Sequence, residues 1–221
     1  MGTTIQLTAA DGHVFSAYRA GPADAAKGLV VVQEIFGVNH HMRNMADRFA
    51  GHGYAVICPA LFDRTERGVE LGYTADDLAR GRTLRGQVPD AGMMLDIEAS
   101  GRALAGKSLG IVGYCWGGTV AWWGATRTGG MFKAANGWYG GGVAGTRNEV
   151  PACPVQLHFG EKDAGIPLTD VELIRAAQPG VEIFVYPGAQ HGFGCDERAS
   201  FSVADAAMAW ERTLAFFEAN L

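Results

Sequence analysis

Apolar and polar positions follow one rule at the start of the chain and another after it, and that change carries the architecture. Ile5-Gln6-Leu7-Thr8 and Val14-Phe15-Ser16-Ala17-Tyr18 alternate with period two around Asp11-Gly12, which predicts an antiparallel hairpin. From Gly28 onward the strand-like stretches become nearly continuous apolar runs: Leu29-Val30-Val31-Val32, Ala55-Val56-Ile57, Leu109-Gly110-Ile111-Val112, Val155-Gln156-Leu157-His158-Phe159 and Val181-Glu182-Ile183-Phe184-Val185. Such runs, separated by helical stretches, belong to strands buried on both faces. They predict an α/β chain with a mostly parallel central sheet, helices on both faces and the N-terminal hairpin as an antiparallel edge.

The intervening segments carry helical spacing. Asn39 is placed to cap a helix whose apolar positions are Met42, Met45, Ala46 and Phe49, with Gly51 or Gly53 ending it. The stretch Thr74 to Leu104 reads as two helical pieces broken near Pro89. A final helix, from about Phe201 to Ala219, is expected to bury Val203, Ala207, Trp210, Leu214 and Phe217 on one face. Trp122, Trp123, Trp138 and Trp210 read as packing residues. The glycine-rich run Gly137 to Gly145 is expected to be a flexible loop, and the absence of a following G-K-[ST] argues against phosphate binding.

At 221 residues and 48% hydrophobic content, the chain is expected to form one domain over 1–221. A formal net charge of -5 offers no basic surface for nucleic acid and no polybasic patch for a membrane. No apolar run reaches the ~18 residues of a membrane span, and the first residues lack the pattern of a signal peptide. A cytoplasmic monomer acting on a small molecule is the expectation. Cys58, Cys115, Cys153 and Cys195 contain no C-x-x-C pair, and His40-His41 has no ligand at zinc spacing. The two histidines are expected to be solvated first-turn residues, with no metal, organic cofactor or disulfide required.

Candidate chemistry centres on Gly113-Tyr114-Cys115-Trp116-Gly117-Gly118, which follows one apolar strand and opens a helix. This is a nucleophile elbow with cysteine in the serine position: flanking glycines let the chain turn sharply and raise the central side chain above the sheet. The helix N-terminus favours thiolate over thiol. A cysteine nucleophile needs a base and a group to orient that base. In α/β hydrolases these follow in the order nucleophile, acid, histidine, on turns after late strands. Asp163 stands beyond the strand ending at Phe159, and His191 beyond the strand ending at Val185. Glu161 and Asp170 are the other candidate acids.

The elbow, Val32-Gln33-Glu34-Ile35-Phe36-Gly37-Val38-Asn39, Asp163 and Ala189-Gln190-His191-Gly192-Phe193 together resemble the dienelactone hydrolase family of the α/β-hydrolase fold, over almost the whole chain. The resemblance implies hydrolysis of an enol lactone, dienelactone, to maleylacetate without a cofactor. It also implies that Glu34 contacts the resting thiol and helps to deprotonate it on substrate binding, and that the backbone N–H groups of Ile35 and Trp116 form the oxyanion hole. Just past four apolar strand residues, a buried carboxylate is costly without a partner, so Glu34 is expected to have one. Candidate substrate contacts are Phe36, Trp138, Tyr139, Arg82 and Arg85.

The chemistry of sulfur narrows the substrate independently. A thiolate leaves a tetrahedral intermediate more readily than an alkoxide or amine does, since its reference pKa is about 8.5. Productive acylation therefore needs an activated leaving group, as in enol lactones, aryl esters and thioesters. One departure bears on specificity: the family's substrate carboxylate is held by two arginines, one of them four residues beyond the histidine, where this chain has Cys195. The nearest arginine is Arg198, and the second clamp position falls among Arg80, Arg82 and Arg85. A broader carboxylesterase or thioesterase, and a non-catalytic binding homologue, are the competing readings.

Overall fold

The hairpin forms as the alternation requires, with β1 (Thr3–Thr8) antiparallel to β2 (Val14–Ala20) in the register Thr8↔Val14 to Thr3↔Arg19. The structure is a computed structural model that describes residues 2–221. The turn closes through Ala9 N–H to His13 C=O at 2.9 Å, with Gly12 at φ 84. Next, β3 (Lys27–Val32) runs parallel to β4 (Ala55–Pro59), and β4 pairs antiparallel with β2. Between β3 and β4 lies α1 (His40–Gly51), capped by the Asn39 side chain, whose Oδ1 accepts from Met42 N–H at 3.2 Å. Helix α2 (Ala75–Gln87) starts with a capping box between Thr74 and Asp77, and α3 (Asp90–Arg102) begins after Pro89.

The chain forms two compact units, one running through Ile111 and the other spanning Val112–Leu221, so the boundary falls inside β5 (Ser108–Tyr114). The second unit contains α4 (Trp116–Arg127), β6 (Ala134–Trp138), β7 (Val155–Gly160), α5 (Leu168–Ala177), β8 (Glu182–Tyr186) and α6 (Val203–Asn220). Its strands β6, β7 and β8 pair in parallel. Strand order is β1-β2-β4-β3-β5-β6-β7-β8, a mostly parallel sheet with an antiparallel N-terminal hairpin and helices around it, the α/β-hydrolase arrangement.

Four features differ from the sequence expectation. Strand β6 is Ala134-Ala135-Asn136-Gly137-Trp138, a run with little β-propensity that is nonetheless fully buried. Its glycine is required by space: a Cβ on Gly137 would stand 2.9 Å from the Gly118 carbonyl oxygen and from the Leu157 side chain. The expected flexible loop therefore begins inside a strand, and Gly137 to Gly140 are buried. Helix α5 carries a weak pattern because it buries only Val171 and Ile174 and leaves Leu173 exposed.

Helix α6 buries Trp210 and Phe217 as expected, but its buried face is shifted away from Val203 and Ala207. It buries Ala209, Trp210, Thr213, Phe216 and Phe217, while Val203 is 72% exposed and Ala207 also lies outside. A polar residue turns inward because the Trp138 indole N–H donates to Thr213 Oγ1 at 3.1 Å. Finally, His40 is exposed as expected, but its neighbour His41 is 1% exposed and belongs to the buried face of α1.

The first unit holds one buried carboxylate through an arginine. Asp96 is fully buried and receives Arg64 Nε at 2.7 Å and Nη2 at 2.8 Å, while Arg64 Nη1 reaches Asp11 in the hairpin turn at 2.8 Å. Burial pushes the Asp96 carboxyl up and the guanidinium opposes it. Removing only the cation strands a charge, whereas removing both groups does not. Arg64→Met is expected to destabilise the protein by about 3–5 kcal/mol in urea unfolding, and Arg64→Met/Asp96→Leu to recover most of that loss.

Candidate active site

At the junction of β5 and α4, Cys115 adopts φ 55 and ψ -119, outside the regions an L-residue prefers. Two backbone bonds hold it there: Cys115 N–H donates to Trp138 C=O at 3.0 Å, and Gly118 N–H donates to Cys115 C=O at 3.0 Å. The neighbouring glycines are required by space. A Cβ on Gly113 would lie 1.8 Å from the Gly117 carbonyl oxygen, and one on Gly118 would lie 2.5 Å from the Trp138 carbonyl oxygen. Tyr114 and Trp116 on either side are buried, while Cys115 is half-buried at the N-terminus of α4.

Asp163 lies beyond β7 and His191 beyond β8, and the two turns are tied to each other. Lys162 N–H donates to Ala189 C=O at 2.8 Å, and the Glu161 carboxylate accepts Gly188 N–H at 2.9 Å. Glu161 thus braces the loops, Asp170 stands in the first turn of α5, and Asp163 meets the histidine. His191 Nδ1 and Asp163 Oδ2 are 2.7 Å apart, with the Asp163 side chain fully buried and its Oδ1 accepting Gly165 N–H at 2.8 Å. Ser200 Oγ donates to the His191 carbonyl at 2.7 Å, fixing the loop behind the ring.

With Nδ1–H given to Asp163, the other ring nitrogen is left for the Cys115 thiol, which hydrogen-bonds the imidazole. Burial acts to lower the His191 pKa, but the bonds to Asp163 and to Cys115 outweigh it and raise the value to about 10. Such an environment favours an imidazolium beside sulfur. The Tyr139 ring packs 5.1 Å from the His191 ring at 59°, and Tyr139 itself is held at φ 40 by N–H donation to His158 C=O at 2.7 Å. Trp138 is buried and stacks on Phe193.

In the first unit, Glu34 follows β3 and is fully buried; its Oε2 accepts the Tyr73 hydroxyl at 3.2 Å. A ring nitrogen of His41 and a carboxylate oxygen of Glu34 lie within 4.8 Å of each other. Segment 61–73 fixes this loop. Gln33 Oε1 accepts Leu61 N–H at 2.9 Å, Asn39 Nδ2 donates to Leu71 C=O at 3.0 Å, and Phe36 meets Tyr73 edge-on at 4.6 Å. Gly81 of α2 lies against Ile35: a Cβ there would stand 2.1 Å from the Ile35 carbonyl oxygen. Arg82 is exposed, and Arg85 pairs with Asp90 at 2.6 Å.

The structure therefore gathers Cys115, Asp163 and His191 in the second unit, and Glu34, Phe36 and Tyr73 in the first. Tyr73 and the braced carbonyl of Trp138 escaped sequence reasoning. Neither position carries a local signal, because each acts through a partner 39 or 23 residues away along the chain.

The model of the dienelactone hydrolase family matches residues 15–221. A provisionally named carboxymethylenebutenolidase of Synechocystis sp. is 35% identical over 213 residues, covering 87% of this chain and 86% of that protein. Another, from Azospirillum brasilense, is 35% identical with 99% of each chain covered. A solved structure provisionally titled a dienelactone hydrolase, from Klebsiella pneumoniae, superposes with a TM-score of 0.81 at 33% identity, covering 98% of this chain and 99% of that one.

The raised His191 value fixes a direction for pH. Folded at about 10 against an ordinary 6.5, the imidazole contributes stability that is fully present below about 6.5 and is lost as pH rises through about 10. NMR titration of the imidazole is expected to show a lower pKa in Cys115→Ala, and lower still in Asp163→Asn. In Asp163→Asn the decline of urea stability between those two pH values should flatten. An unchanged titration in both variants would rule out the coupling.

Proposed function

The chain belongs to the dienelactone hydrolase family and is a carboxylic-ester hydrolase, and from that premise we propose that Cys115 is its nucleophile and an enol lactone its substrate. The observation that carries this reading is the coupled set: a half-buried thiol in a strained elbow, hydrogen-bonded to His191, whose other nitrogen is 2.7 Å from buried Asp163. A binding protein has no need of that arrangement.

In the proposed cycle, sulfur attacks the lactone carbonyl while the developing oxyanion is met by the backbone N–H of Trp116, at the start of α4, and by that of Ile35. The C–S bond forms and the ring C–O bond breaks, and the freed enolate, still joined to the acyl group, takes the proton that His191 received from the thiol and becomes the ketone of the maleylacetyl thioester. His191 then removes a proton from water, which attacks the thioester and regenerates sulfur. Asp163 orients the ring and stabilises its charged form. Glu34, oriented by Tyr73, is proposed to assist deprotonation of Cys115. Phe36, Trp138, Tyr139, Arg82 and Arg85 remain the proposed substrate contacts.

We read the chain as a single domain over 1–221 acting as a cytoplasmic monomer; among the described residues no helix is long and apolar enough to cross a membrane. A second reading, a broader esterase or thioesterase, is favoured by Cys195, which is fully buried where the resemblance implies an arginine.

Steady-state hydrolysis of cis- and trans-dienelactone, followed by loss of ultraviolet absorbance, tests the proposal. Wild type is expected to turn over at least one isomer, and Cys115→Ala to lose at least about 10³-fold in kcat. Turnover that persists in Cys115→Ala would reject the nucleophile; neutral aryl thioesters hydrolysed with both lactones inert would reject the lactone.

A further inference from the structure

We infer that Thr213 is a positioning residue for the reaction: from helix α6 it fixes the indole of Trp138, and through Trp138 it holds Cys115 and the His191 loop in register. The inference deepens the hydrolase reading of Cys115 and His191 and rests on it. It starts from four polar side chains in the core of the second unit. Asn136 of β6, Gln156 and His158 of β7 and Thr213 of α6 are at most 3% exposed, in places where apolar residues would lose no hydration.

Their hydrogen bonds converge on one atom. Arg212 donates to the Tyr186 hydroxyl, which therefore gives its own hydrogen to His158 Nδ1 at 2.8 Å. The ring proton is left on Nε2, 3.0 Å from Gln156 Oε1 and 3.3 Å from Thr213 Oγ1. Gln156 is itself fixed, its amide donating to Glu182 at 2.8 Å and its carbonyl oxygen accepting Asn136 Nδ2 at 2.8 Å. Thr213 Oγ1 thus faces a donor on each side, His158 and the Trp138 indole N–H at 3.1 Å. Burial, with the Arg212 charge adding to it, keeps the His158 ring neutral, so this pattern holds at ordinary pH.

Trp138 is where the network meets the proposed chemistry. Its carbonyl accepts Cys115 N–H at 3.0 Å, and its ring stacks on Phe193 with centroids 5.6 Å apart. A Cβ on Gly194 would stand 2.6 Å from its Cζ3. Phe193 and Gly194 are the second and third residues after His191. Tyr139, which follows Trp138, packs its ring on His191 and donates its N–H to His158 C=O. One residue therefore bears on the backbone of the nucleophile and on the loop of its base. An indole whose N–H is bonded to Thr213 cannot turn away from that loop, and a misplacement of about 1 Å between reacting groups is costly in rate. Thr213 touches neither Cys115 nor His191, so its loss falls on the chemical step and on the pairing of thiol with imidazole, not on substrate affinity.

The test compares Thr213→Val, which keeps the shape and loses the hydroxyl, with Thr213→Ser, which keeps the hydroxyl. Two quantities are read on folded enzyme: kcat and KM for 4-nitrophenyl acetate, and the pH profile of iodoacetamide alkylation at Cys115, followed by peptide mass spectrometry. Thr213→Val is expected to lower kcat about 10- to 100-fold while KM changes by less than about threefold. Its alkylation midpoint is expected to rise by about one pH unit, because the thiolate loses part of its imidazolium partner. Thr213→Ser is expected to return both quantities close to wild type, which a loss of packing alone would not do. His158→Asn keeps an atom opposite Tyr186 but none opposite Thr213; it is expected to move both quantities the same way by a smaller factor, and it carries the test if Thr213→Val does not fold. A folded Thr213→Val with wild-type kcat and alkylation profile would overturn the inference, and so would equal losses in Thr213→Val and Thr213→Ser. The alkylation profile needs no substrate, so the two failures are separable: turnover that persists in Cys115→Ala rejects the hydrolase reading, while the alkylation midpoint alone upholds or overturns the hold of Thr213 on Cys115 and His191.

Discussion

Everything around the proposed nucleophile follows from one backbone constraint, the φ of 55 at Cys115. A strand that passes into a helix without a connecting loop must reverse its direction at a single residue, and an L-residue in that conformation is strained by about 1–3 kcal/mol. The strain persists because its surroundings are over-determined. The Cys115 amide is bound by Trp138 C=O, and the helix that follows buries ten of its twelve residues. The tight turn also brings backbone to backbone, so that Gly113, Gly118 and Gly140 have no room for a side chain. The glycine of β6, the position of Trp138 and the strained Tyr139 are the same constraint seen from the neighbouring strand.

Two histidines of the second unit show how partners set protonation. His158 is fully buried between Tyr186 Oη at 2.8 Å and Gln156 Oε1 at 3.0 Å, both neutral, and burial, with the Arg212 charge adding to it, pushes its pKa down to about 3. It is a neutral ring in a hydrogen-bonded core. His191 feels burial of the same sign, but its partners are a carboxylate and a thiol that gains charge, and its pKa rises to about 10. Charge on the partner, more than depth, separates a packing histidine from a candidate general base.

How much of this could be read from the chain depends on the range over which each signal acts. The hairpin at Asp11-Gly12, the Asn39 cap, the break at Pro89 and the elbow glycines are local devices, and they stand where sequence reasoning puts them. Strand β6 was illegible because its composition answers to contacts with Gly118 and Leu157, and the α6 face because Thr213 answers to the Trp138 indole. His41 looked solvated beside exposed His40, yet α1 turns it inward near Glu34. Cys115, Asp163 and His191 were legible as an ordered series of residues after strands; Tyr73, bonded to Glu34 from 39 residues away, was not.

The central claim is that the strained thiol itself carries the acyl group. Its most direct test is intact-protein and peptide mass spectrometry on enzyme quenched in acid within milliseconds of mixing with an aryl acetate. The account predicts one acetyl group on the peptide containing Cys115, released by neutral hydroxylamine as a thioester should be. Turnover with the acetyl group on any other residue, or with no covalent adduct under conditions where deacylation is rate-limiting, would contradict it.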